Sequence, residues 1–81
     1  MKTAKLVKVI NGYQSLYLLS KPLEGWDMVI VSAINNAFAH ETYIFPSNSE
    51  GEVVNFGELQ GSIRGTTSHH KALLEAGYEI V

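Results

Sequence analysis

A single helical stripe, set at the end of a chain otherwise patterned for strands, most limits how these residues can fold. His69, Ala72, Leu73 and Ala76 fall at i, i+3, i+4 and i+7, one face of a helix. Thr66, Thr67 or Ser68 can cap its start, through a hydroxyl that accepts a free backbone N–H. Gly77 stands where a residue just past a helix takes a positive φ. A helix of roughly ten residues does not persist alone in water, so it must lie against a sheet. Tyr78–Val81 then reads as a short final strand. The implied class is α+β: a four- to five-stranded, mainly antiparallel sheet with one C-terminal helix packed on one face. Residues 1–81 form a single domain, because a chain this short has no room for a second core.

The strands are read from alternation and turn chemistry. Thr3–Ile10 is rich in β-branched residues and ends at Asn11-Gly12, a pair suited to a two-residue type I′ hairpin turn. Tyr13–Ser20 returns, with Tyr13, Ser15, Tyr17 and Leu19 on one face and Gln14, Leu16, Leu18 and Ser20 on the other. Lys21-Pro22 is expected to end that strand, since proline cannot donate to a ladder. Glu24-Gly25 marks a turn. Trp26–Ile34 is the most apolar segment, and the run Met28–Val31 suggests a central strand covered on both faces, or a strand near the core. A loop at 35–40 leads to a fourth strand, Glu41–Phe45, stopped by Pro46. Ser47–Gly51 is a turn, and Glu52–Phe56 is either a short strand or an extended connection. The expected core is Leu6, Leu16, Leu18, Val29, Val31, Ile44, Ala72, Leu73, Ala76 and Ile80.

Composition narrows the functions. The chain has no cysteine, which excludes a disulfide framework, a thiolate zinc site and a cysteine nucleophile. A small secreted domain usually needs such staples, so a reducing cytoplasm is the expected compartment. The start, with lysines at 2, 5 and 8, does not pattern as a signal peptide, and no run approaches the ~20 apolar residues of a membrane span. Net charge is −2, unevenly placed: residues 1–40 carry four lysines against Glu24 and Asp27, and residues 41–81 carry Arg64 and Lys71 against six glutamates. Neither nucleic acid nor an anionic membrane is favoured, because both reward dense basic patches.

No motif specifies a reaction. Gly57, Gly61 and Gly65 are spaced by four, which matches neither dinucleotide nor phosphate-loop patterns. Arg64, Gly65, Thr66, Thr67 and Ser68 lead into the helix start and make up a candidate site for a small anion or nucleotide. The simpler reading of the same residues is an ordered loop and a helix cap. Adjacent residues on a helix point about 100° apart, so His69 and His70 cannot chelate one metal, and no metal or cofactor is expected. Ser68 or Thr67 near His70 supplies residue types for a nucleophile and base, yet there is no nucleophile elbow or oxyanion donor set. No catalytic residue is assigned, and a weak hydrolase ranks third.

Aromatic residues at turns are harder to bury than those within strands, and Tyr13, Trp26 and Phe38 are therefore candidates for an interaction surface. A sheet edge is a further template, since its unpaired N–H and C=O groups can accept another strand. The first-ranked expectation is a protein-interaction or accessory module, of the kind bacterial and phage genomes carry, with protein as its partner: a second copy, giving a homodimer, or another chain.

Overall fold

A computed structural model describes residues 2–35, 40–54, 57, 59, 63–64 and 68–81. Four long strands form an antiparallel meander: β1 (Thr3–Val9), β2 (Gln14–Leu23), β3 (Trp26–Asn35) and β4 (His40–Pro46). The two-residue strands β5 (Ile63–Arg64) and β6 (Glu79–Ile80) extend it, with α1 (His69–Glu75) between them in the chain. The sheet order is β5-β4-β3-β2-β1-β6, so the two short strands lie on opposite edges. β6 runs parallel to β1, and every other pairing is antiparallel. This is the expected α+β arrangement, with the helix crossing one face of the sheet over β3 and β4.

The hairpin turns differ in kind. Glu24 (φ 50°) and Gly25 (φ 90°) are both left-handed and join the paired Leu23 and Trp26, so the tight two-residue turn lies here. At Asn11-Gly12, the expected type I′ turn gives way to a wider loop in which Gly12 does not take a positive φ. The Asn11 side chain organises it instead: its Oδ1 accepts from the N–H groups of Tyr13 and Gln14, both at 3.0 Å. Pro22 does not end β2. The register jumps from Leu18–Met28 to Leu23–Trp26, and proline sits inside that irregularity, where no ladder donor is needed.

The core lies mainly between helix and sheet. Ala4, Tyr17, Leu19, Val29, Val31 and Ile44 meet Ala72, Leu73, Ala76 and Tyr78, with Leu23 and Leu59 at the margins. The predicted helical stripe supplies three of these contacts, and the face assigned to Ser15, Tyr17 and Leu19 is the covered one. β3 is buried on both faces, as its continuous apolar run implied. Two expected core residues prove exposed, Leu6 at 44% and Leu18 at 42%. Leu6 lies on the helix side of β1, beyond the reach of α1, and Leu18 lies on the opposite face of the sheet.

That second face is covered in part. Leu16 and Ile30 are buried there, with Tyr43 and Phe45 stacked beside them at 5.8 Å between ring centroids. The cover is the turn after β4. Asn48 Oδ1 accepts from the N–H groups of Glu50 (2.9 Å) and Glu52 (3.0 Å), folding the segment back. Gly51 takes φ 85° and lies close enough that a Cβ there would stand 3.5 Å from Leu16 Cδ2. Ser47 and Val53 pair as a single bridge, and of the possible strand at 52–56 residues 52–54 fall among the described residues.

α1 is short but fully capped. Ser68 is the N-cap residue, and its hydroxyl accepts from the Lys71 N–H at 3.2 Å. At the far end Tyr78 N–H donates to Leu73 C=O and Gly77 N–H to Leu74 C=O, both at 2.9 Å, with Gly77 at φ 95°. This double bond pattern with a left-handed glycine is the one Gly77 predicted. Among the described residues no helix is long and apolar enough to cross a membrane.

Candidate functional site

The two edges of the sheet are finished differently. Outside β4, Ile63 and Arg64 pair with Thr42 and Glu41, Leu59 N–H donates to Ile44 C=O, and Val54 N–H donates to Pro46 C=O. That edge is covered along much of its length. On the other side, among the described residues, β6 pairs only with Thr3 and Ala4, and its last bond runs from Val81 N–H to Ala4 C=O at 3.0 Å. From Lys5 to Val9, β1 has no outer neighbour among the described residues.

Which groups of β1 face outward follows from the ladder, where bonded and non-bonded pairs alternate. Ile10 N–H donates to Gln14 C=O at 2.9 Å, so that pair is bonded. Lys8–Leu16 is then the next bonded pair, and Val9 between them aims its N–H and C=O away from β2. From the other end, the carbonyls of Lys2 and Ala4 accept from Glu79 and Val81, so they face outward. Two residues on, Leu6 faces the same way. The register shift between Leu6 and Lys8 leaves Val7 as the extra residue of a bulge, which reconciles the two countings.

The side chains along this edge are apolar and open. Leu6 is 44% exposed, Val7 49% and Val9 64%. Leu6 and Val9 oppose Tyr17 and Ser15, on the helix side, while Lys5 and Lys8 oppose Leu18 and Leu16 on the other. Lys8 reaches inward along that second face: its Nζ lies 3.8 Å from where a Gly51 Cβ would stand. Tyr13, 55% exposed, extends the open apolar surface at the Val9 end.

The residues singled out in the sequence do not converge. Tyr13 is exposed as expected, but Trp26 packs against the core and Phe38 lies outside the described residues. Tyr13 sits beside Ala33 and Trp26 begins the same strand, so the two are roughly 23 Å apart along β3 at ~3.3 Å per residue. Of the anion candidates, Gly65, Thr66 and Thr67 lie outside the described residues. The Arg64 backbone pairs with Glu41 at the far edge, and the Ser68 hydroxyl is taken up in capping.

His69, on the apolar stripe, has a structural partner. Its Nε2 donates to the Tyr13 carbonyl at 3.0 Å, tying the start of α1 to the first hairpin. Burial pushes its pKa below the ordinary value of 6.5. The Tyr13 carbonyl favours the charged form but is outweighed, and the neighbouring His70 adds to the lowering. His70 itself points to solvent.

The edge of β1 was missed because Leu6 reads as core in any pattern that counts only apolar residues. The signal present was the spacing of Lys5 and Lys8, since lysines on a short apolar strand often mark an edge. Compared with known proteins, the chain matches no family model, no curated protein and no solved structure.

Proposed function

We propose that this chain is a protein-interaction module that accepts an extended segment of its partner along β1, between Lys5 and Val9. The observation that supports it is the pair of outward-aimed backbone positions, Leu6 and Val9, flanked by exposed apolar side chains. Strand addition draws affinity from such backbone groups and specificity from alternate side chains. Leu6 and Val9 would supply one side of the recognition and Lys5 the other. β2 and β3 beneath it are interior strands, bonded on both sides and lending residues to the core, so the accepting edge is already formed for an incoming strand.

The test is selection of a random peptide library on the whole chain. A selected peptide should shift the amide resonances of Leu6, Val7 and Val9. The double substitution Leu6→Lys with Val9→Lys should weaken its binding at least tenfold, while melting stays nearly unchanged because both side chains are exposed. Selected peptides that perturb a different surface would reject the reading. So would failure to select any peptide from a chain that stays monomeric at high micromolar concentration.

A further inference from the structure

Resting on strand addition at β1, we propose that the accepted segment belongs to a different protein and carries carboxylates at alternate positions, with an acid beside Lys5 and apolar side chains beside Leu6 and Val9. The charge on the edge supports this. Lys5 and Lys8 are the ionisable side chains of the open stretch, and both lie on the same side of the sheet. The Lys8 side chain runs inward over Gly51, its Nζ 3.8 Å from where a Cβ there would stand. Lys5 is left as the cation that an incoming strand meets. Opposite charges directly across two strands stabilise the pair, and like charges oppose it.

The same residues disfavour a second copy. With Leu6 and Val9 as the outward positions, the register of two β1 strands that uses both of them sets Leu6 opposite Val9 and Val7 opposite Lys8. The two Lys8 side chains then fall on one face, close to the two-fold axis. The bulge at Val7 would be duplicated at the same point. Lysine and a bulge are both devices that keep an edge from pairing with itself. An edge that repels its own copy while offering backbone and apolar surface selects for an acidic strand, since specificity needs a repulsive element as well as an attractive one.

The experiment uses three nine-residue peptides, capped at both ends, in which valine alternates with glutamate, threonine or lysine. Each is titrated into the isotope-labelled chain at low and high salt, with light scattering on the chain alone. The glutamate peptide should bind about fivefold tighter than the threonine peptide at low salt, with β1 amides shifting. That gap should close at high salt. Lys5→Glu, at an exposed position, should transfer the preference to the lysine peptide. Equal binding of the glutamate and threonine peptides would overturn the acidic partner while leaving strand addition standing. A dimer with protected β1 amides would also overturn it, in favour of a second copy. Failure of all three peptides, with no self-association, would remove strand addition and the acidic partner together.

Discussion

The hydroxyl of Tyr78 donates to the carbonyl of Lys21 at 2.7 Å, joining the segment that follows the helix to the far end of β2. The ring is buried, and the Lys2 ammonium stands 4.7 Å from its centroid. Tyr78 therefore locks the C-terminal unit onto β2. Tyr78→Phe removes the hydrogen bond and leaves the Lys21 carbonyl without it, at a cost of about 1 kcal/mol. Tyr78→Ala also empties the ring's volume and should cost about 3–5 kcal/mol. Urea denaturation of the two variants measures both, and near-equal losses would show that the ring contributes little.

Gly77 holds φ 95°, where a side chain is strained, and a Cβ there would come within 3.0 Å of Lys2 Nζ. The lysine end is flexible and can move aside, so the backbone carries most of the penalty. Gly77→Ala should destabilise by about 1–2 kcal/mol. Gly77→Asn should cost less, since asparagine tolerates the left-handed region. Thermal melts of both variants test the order.

Folded His69 resists protonation, because burial lowers its pKa below 6.5. The unfolded chain then binds more protons in the window below that value, and stability rises with pH there. The His69 contribution is complete above pH 6.5 and is lost as pH falls through the folded pKa, after which it levels off. In His69→Gln this part of the pH dependence should vanish. Denaturation midpoints measured across mildly acidic pH would show it, and an unchanged slope in the variant would assign the effect elsewhere.

Leu16 and Leu18 share one face of β2, yet the first is 1% exposed and the second 42%. Leu16→Ala should cost about 2–5 kcal/mol, as for any buried leucine. Leu18→Ala should cost well under half of that. Gly51→Ala, at φ 85° and against Leu16 Cδ2, should loosen the turn that makes the difference. Hydrogen exchange at Leu16 should then rise toward that of Leu18.

The layered α+β design was legible because each element carried its own period. The stripe His69, Ala72, Leu73 and Ala76, the cap at Ser68 and the left-handed Gly77 all act over a few residues, and all three were readable. What alternation could not show was which apolar positions the rest of the chain would reach. Leu16 and Leu18 look alike on β2, and only the fold-back at Asn48 separates them. Leu6 looks like core until the sheet order puts β1 beside a strand of two residues. Asn11-Gly12 carried the stronger turn signal, but the Asn11 side chain satisfied Tyr13 and Gln14 directly, and the left-handed pair arose at Glu24-Gly25. The candidate edge was hidden for the same reason: it is a property of pairing between distant segments, and no single window contains it.

Thr3 pairs with Glu79, so β1 acquires its short outer neighbour from a segment far away in sequence. Were residues 79–81 to undock, Thr3 and Ala4 would lose that flank, and the open backbone of β1 would run from Thr3 to Val9. The reach of the bare edge is thus set by a contact of only two residue pairs.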